Sequence, residues 1–256
     1  MLLSVVTVCY NAVNTIENCM RSVDIQLGSA LDFEHIIVDG ASTDGTIEII
    51  NSHAREYRKV FSEPDMGIYD AMNKGIIHSS GEFVMFLNAD DRFYSDDVIS
   101  KIIKYLKSSQ SDFLCGDIVF EKRSRIIRRV NAPRKLRRSY FKLGFSPPHP
   151  ACVIRKSKLV AVGGFSQSYP VCGDVDLLWR LTCQNAIYER IPMVCTIMSL
   201  GGVSTRGMSS YVSISRELVS LTAVENKPVW RFLIWARVVF KLSQLSLRLK
   251  NITTGS

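Results

Sequence analysis

The chain has no uninterrupted run of the ~20 apolar residues that a membrane-spanning helix requires, so no segment reads as transmembrane. It also lacks any C-x-x-C pair, and its seven cysteines, at positions 9, 19, 115, 152, 172, 183 and 195, are odd in number. Both facts argue against a disulfide framework and a zinc ribbon, and reduced cytoplasmic thiols are the simplest reading. Internal repeats and low-complexity tracts are missing, which sets aside repeat architectures and long linkers. The amino terminus, Met1-Leu-Leu-Ser-Val-Val-Thr-Val-Cys9, carries no basic leader and runs at once into polar Tyr10 and Asn11. It reads as a first strand, not a signal peptide.

What is present is a chain of 256 residues, 46% hydrophobic and 22% charged, long enough for a sizeable core in one large domain or a domain with an appendage. The net charge of +8 is unevenly placed, with nine of the basic residues between Lys122 and Arg138. Such a cluster can draw in nucleic acid, an anionic membrane or a diphosphate-bearing substrate, and a solvated hairpin is the plainer alternative.

Short β-branched runs at 2–9 and 34–38 flank an amphipathic stretch, 15–26, which Asn14 can cap with Glu17 reaching back. Further helices fit 46–57, 70–78 and 95–107, with strands near 59–62 and 82–87. This alternation predicts an α/β fold: a mostly parallel central sheet flanked by helices, with ligands at the carboxyl ends of its strands. Tyr10, Asn11, Asp39 and the turn 88–91 occupy such ends. Past residue 110 the alternation stops. Runs 112–120 and 126–130 read as antiparallel strands, 151–154 as another strand, and 174–184 as a helix. Residues 229–250 interleave tryptophan and phenylalanine with arginine and lysine, which reads as an amphipathic helical extension that lies in a membrane interface or packs on a partner.

The strand 82–87 delivers two adjacent carboxylates, Asp90 and Asp91, into a turn. Hard cations take oxygen ligands and bridge carboxylates to substrate phosphates, so the pair points to a metal–diphosphate site; an acidic turn capping the next helix is the alternative.

Several segments stand in one recognisable order: Ser4-Val-Val-Thr-Val-Cys-Tyr-Asn11, Ile37-Val-Asp-Gly-Ala-Ser-Thr-Asp-Gly45, Asp65-Met-Gly-Ile-Tyr-Asp-Ala-Met-Asn-Lys-Gly75, Phe86-Leu-Asn-Ala-Asp-Asp91, Gly163-Gly-Phe165, Gly173-Asp-Val-Asp-Leu-Leu-Trp-Arg180 and Gly201-Gly-Val-Ser-Thr205. Over about residues 1–206 the chain resembles a family 2 glycosyltransferase with a GT-A fold, nearest to bacterial enzymes that assemble O-antigen, capsule or colanic acid. The resemblance implies a nucleotide-binding half over about 1–110, an acceptor-binding half over about 111–206, and an extension at 207–256. It implies an inverting, hexosyltransferase-like enzyme at the cytoplasmic face of the cell membrane. The donor is a nucleoside-diphosphate sugar, UDP-sugar favoured with GDP- and dTDP-sugars as alternatives. The acceptor is a lipid-linked saccharide, and the cofactor is Mn²⁺ or Mg²⁺.

Residue by residue, the resemblance places Thr7, Tyr10 and Asn11 around the nucleoside and Asp39 on the base edge. Asp70, Asn73 and Lys74 hold the donor. Asn88 and Ala89 stand in the D-x-D element, whose first position is normally acidic, with Asp90 first and Asp91 second at the metal. Asp174 is the base that deprotonates the acceptor hydroxyl, in a motif where Gly173 replaces a common acidic residue; simple helix capping is its alternative. His149 falls near acceptor-contacting groups. Arg180 lines the site or pairs with a carboxylate beneath it, and Arg206 closes over the diphosphate.

Three competitors carry less. A nucleotidyltransferase expects a glycine-rich loop after the first strand, where this chain has Tyr10-Asn-Ala-Val-Asn14. A nucleic-acid-binding protein expects aromatics among the basic residues, and 122–138 has none, so no nucleic-acid partner is expected. A catalytically silent scaffold is the reading that Asn88 favours.

Overall fold

The computed structural model describes residues 1–27, 32–142, 145–199, 214, 216–218 and 220. Arg206, the 201–205 loop and the expected helix at 229–250 lie outside them. The strands are β1 (Leu3–Cys9), β2 (Phe33–Asp39), β3 (Arg58–Ser62), β4 (Phe83–Phe86), β5 (Asp91–Phe93), β6 (Phe113–Lys122), β7 (Arg125–Val130), β8 (Cys152–Arg155) and β9 (Tyr188–Ser199). The helices are α1 (Ile16–Asp24), α2 (Thr46–Ser52), α3 (Ile68–His78), α4 (Val98–Ser108), α5 (Arg138–Lys142), α6 (Lys156–Ala161) and α7 (Gly173–Cys183).

The strands form one sheet in the order β3-β2-β1-β4-β8-β6-β9-β5, with β7 paired to the distal part of β6. β1, β2, β3 and β4 are mutually parallel. β8 runs antiparallel to both β4 and β6, and β9 is parallel to β6. The carboxyl ends of β1 to β4, β6 and β9 therefore gather along one edge. Every residue of β1 and β2 is buried, the pattern of a parallel strand covered on both faces. Polar residues on such strands need internal partners. Thr7 Oγ1 meets His35 Nε2 at 3.0 Å, and His35 Nδ1 accepts from Arg58 Nε at 3.0 Å. The arginine contact fixes the proton on Nε2, so His35 donates to Thr7. Burial, and then Arg58, hold His35 well below the usual histidine range.

The parallel half follows the expectation closely; the second half adds to it. β6 lies within the same sheet, and β5, β9, α5 and α6 join elements that the sequence pattern did not resolve. Helix α1 has no side-chain cap from Asn14. Glu17 instead pairs with Arg21 at 2.5 Å, one helical turn on. Helix α2 stops at Ser52, short of the expected 57, because His53 leaves the helical conformation and 54–57 turn back into β3.

Candidate active site

The turn after β4 closes with the Asp91 N–H donating to the Asn88 carbonyl at 3.0 Å, and Asp91 then opens β5 opposite Met198. That pairing carries Asp91 inside, to 2% exposure, while Asp90 stays half-buried. Neither Asp91 oxygen has a hydrogen-bond partner among the described residues, and the same holds for the buried Asn88 Oδ1. Burial, and then the Asp90 charge, push the Asp91 carboxyl well above its ordinary range; the nearby Ser199 backbone and Asn88 amide offset part of this without completing hydrogen bonds. Burial also raises Asp90. Adjacent carboxyls in a poorly solvated turn ionise together only when a cation compensates them. Among the described residues no group of three or more His, Cys, Asp or Glu forms a ready-made cage. The orphaned oxygens fit a hard divalent cation whose other ligands come from a substrate, the usual arrangement for Mg²⁺ with phosphates. The capping alternative falls away, since Asp97 occupies the cap position of α4.

Beside this turn, β1 and β2 end in a second polar cluster. Asp39, fully buried, accepts from the Ser42 N–H at 3.0 Å, from the Ser42 hydroxyl, and from the Ser62 hydroxyl at 2.7 Å. Asn11, in the left-handed conformation at φ 49°, accepts from the Thr43 N–H and donates its own N–H to Ser42 Oγ. The 40–45 turn is thus pinned from both strands. Tyr10, 65% exposed, offers a free ring face beside it.

Several expected contacts are corrected. Thr7 is at 0% exposure and bonded to His35, because strand alternation turns it into the core beneath the cleft. Ala89 packs its methyl with Cys9, Ile16, Met20, Ile37 and Ile50, leaving only backbone for a ligand. Lys74 is bound to Glu63 at 2.9 Å and to the Pro64 carbonyl at 2.7 Å, so it braces the loop before α3. Asp70 accepts from the Met66 N–H and from Gln167 Nε2. Asn73 forms a two-point clamp on the backbone of Phe165, at 2.9 and 2.8 Å. Gly164, at φ +67°, lets the chain reach that clamp, and a β-carbon there would lie 2.4 Å from Asn73 Oδ1. Arg180 does pair with a carboxylate beneath the site, Asp176, and binds the Val162 and Gly164 carbonyls, so it holds the same loop.

Helix α7 begins at Gly173 with Cys172 as its cap residue, which places Asp174 inside the first turn and not at the cap. The ring of Tyr69 lies flat under Gly173: a β-carbon at 173 would come within 2.7 Å of it. This explains glycine where an acidic residue is common. The Tyr69 hydroxyl donates to the Val171 carbonyl at 2.8 Å. Residue 174 keeps some exposure, yet desolvation raises its carboxyl to about 6; the Val175 N–H and the Tyr69 hydroxyl work against this and the Glu217 charge adds to it. Glu217 also accepts the N–H groups of Val171 and Cys172, fixing the approach to the helix. An aromatic stack joins this base to the acidic turn: Tyr69 on Phe165 at 5.5 Å, Phe165 edge-on to Phe86 at 5.1 Å, and His149 on Phe86 at 5.5 Å. His149, buried and held down to about 4 by that burial, is neutral at physiological pH, and its Nε2 has no partner among the described residues. Tyr69, Phe165 and Glu217 escaped the sequence reading. Tyr69 sits within the 65–75 motif as an apolar position, and nothing marks Glu217 among surface glutamates.

A mostly parallel sheet with an acidic turn at one strand end, a polar cluster at the neighbouring strand ends and a separate carboxylate in the first turn of a helix has the architecture of the GT-A glycosyltransferases. Residues 4–160 match the family model "Glycosyl transferase family 2", and the chain belongs to that family. It is similar to the PGL/p-HBAD biosynthesis glycosyltransferase of Mycobacterium bovis (strain BCG / Pasteur 1173P2), 28% identical over 209 residues and 79% of each chain. Two solved structures share the fold. S. aureus TarS 1-349 in complex with UDP-GlcNAc has a TM-score of 0.66 at 17% identity, over 93% of this chain and 72% of that one. The mannosyltransferase PcManGT from Pyrobaculum calidifontis, in complex with GDP-Man and Mn²⁺, has a TM-score of 0.64 at 18% identity, over 92% and 68%.

Proposed function

We propose that the chain is an inverting hexosyltransferase that moves a sugar from a nucleoside-diphosphate donor to a lipid-linked saccharide at the cytoplasmic face of the cell membrane, in surface-polysaccharide assembly. The observation that carries this reading is the presence of two distinct acidic centres: the turn where half-buried Asp90 adjoins Asp91, whose two oxygens have no partner among the described residues, and a single carboxyl at 174 raised to about 6. The glycosyltransferase likeness supports the reaction class. Structures of the same fold with UDP-GlcNAc and with GDP-Man support a sugar-nucleotide donor, with UDP-sugars favoured and GDP- and dTDP-sugars as alternatives.

In this reading Tyr10 stacks on the nucleobase, and an imide N–H replaces the Ser42 hydroxyl on Asp39. A divalent ion, Mn²⁺ or Mg²⁺, held by Asp90 with Asp91 behind it, would neutralise charge on the departing diphosphate. Asp174 takes the proton of the acceptor hydroxyl as its oxygen bonds to the anomeric carbon from the face opposite the leaving group. The carbon–oxygen bond to the diphosphate breaks in the same displacement, and the configuration inverts. A carboxyl near 6 is ionised at neutral pH yet basic enough to hold a proton in the transition state. The 1–206 unit would carry this chemistry and 207–256 would serve attachment.

A thermal-shift panel of UDP-, GDP- and dTDP-sugars with and without Mn²⁺ tests the donor assignment, since a ligand of the native state raises its apparent stability. One nucleotide class should stabilise the protein in a metal-dependent way; none doing so sinks the reading and leaves the scaffold alternative.

A further inference from the structure

The sheet edge that gathers the strand ends also carries a hairpin, β6–β7, whose first strand is backed by β9 as far as Glu121. Its two-residue turn places Arg123 and Ser124 in the left-handed region, at φ 49° and 60°. This is the twisted turn that aligns hairpin strands, made here without glycine. β7 pairs with β6 only, and every residue from Arg125 to Arg129 is exposed. Phe120 pairs with Arg128 and Glu121 with Ile126, so Ile127 is the extra residue of a bulge. A bulge interrupts strand alternation and re-aims side chains. Ile126 and Ile127 are both bare, at 54% and 53% exposure, on a strand whose two faces are both open.

Around these isoleucines stand Lys122, Arg123, Arg125 and Arg128, none of which has an ion-pair partner among the described residues; of the β7 arginines, Arg129 is neutralised, by Asp117 at 2.5 Å. The turn end of the hairpin is tied to the strand that leaves the acidic turn, since Glu121, opposite Ile126, pairs with Arg92 at 2.7 Å, one residue from Asp91. Uncompensated cations interleaved with exposed aliphatic side chains suit neither bulk water nor a protein core. They match a bilayer bearing anionic headgroups, where arginine meets phosphate and isoleucine enters the acyl boundary.

We propose that the β6–β7 hairpin is an anionic-membrane anchor that sets the cleft at the headgroup level. It rests on the transferase reading only for why a membrane-borne acceptor matters. The test is flotation of the full-length protein with phosphatidylcholine vesicles, plain or doped with phosphatidylglycerol, for the wild type, Ile126→Ser with Ile127→Ser, and Arg125→Gln with Arg128→Gln. The wild type should bind the doped vesicles only, and each pair should weaken partitioning on the order of thirtyfold. Transfer to a water-soluble acceptor should be unchanged, because these side chains lie outside the catalytic site. Wild-type protein that ignores doped vesicles, or variants that bind as wild type does, would overturn the anchor while leaving the transferase reading intact. So would wild-type binding to an RNA oligonucleotide that is lost in the arginine pair while vesicle binding persists.

Discussion

Replacing Asp174 with asparagine should abolish transfer and, near pH 8, make the protein more stable. The carboxyl stands at about 6 against 3.8 for an ordinary aspartate. At ~1.4 kcal/mol for each tenfold in acidity, ionising it in the native state costs about 3 kcal/mol. Asparagine removes the charge and keeps a carbonyl that can accept the Val175 N–H, so the gain is about 1–3 kcal/mol, or roughly 3–8 °C in Tm. The sign follows from proton linkage. The native carboxyl binds its proton more tightly than the unfolded chain does, so the wild type loses stability as pH rises from 3.8 through about 6. The advantage of Asp174→Asn should therefore be full above that range, fade on acidification, and vanish near pH 4. His35 titrates in both proteins and cancels in the difference. Differential scanning fluorimetry across that range measures it. A variant less stable than wild type near pH 8, or one whose gain persists near pH 4, would refute the reasoning.

Asn73→Ala breaks both bonds to the Phe165 backbone and should lower stability by about 2–3 kcal/mol, read as a shifted urea midpoint, with kcat falling more than donor affinity. Thr7→Val leaves the His35 N–H unpaired and should cost about 1–2 kcal/mol in the same assay while donor KM stays at the wild-type value; a raised KM would return Thr7 to the cleft. Gly173→Asp restores the acidic residue common at that position, yet forces a side chain into the Tyr69 ring that the Val171 contact holds in place. It should cost about 1–3 kcal/mol in thermal denaturation and reduce turnover; unchanged stability would show that the ring yields.

The parallel half was readable because its strands are continuous apolar runs separated by amphipathic helices, and their ends carry the polar residues that mark a cleft. The acidic turn stood out for the same reason, since a charge at the end of a buried run has no packing purpose, whereas Asp174 was singled out only by the resemblance of its motif. The bracing contacts of Thr7, Asn73 and Lys74 were not legible, because a polar residue at a strand end or helix start looks the same whether it faces a ligand or a neighbouring loop. Only the fold shows that Asn73 meets Phe165, 92 positions away. β9 escaped because Tyr188-Glu-Arg190 and Pro192 break its pattern, and its partner β6 lies far off in sequence. The bulge at Ile127 depends on hairpin register, which the periodicity of 126–130 does not define.

The central claim is that binding the diphosphate and activating the acceptor are assigned to different carboxylates. Calorimetric titration of the stabilising sugar nucleotide, with and without Mn²⁺, into wild type, Asp90→Ala and Asp174→Asn tests it most directly. Asp90→Ala should lose the metal-dependent part of binding, and Asp174→Asn should bind the donor as wild type does while transferring nothing. Donor binding lost in Asp174→Asn, or metal-dependent binding retained in Asp90→Ala, would contradict the account.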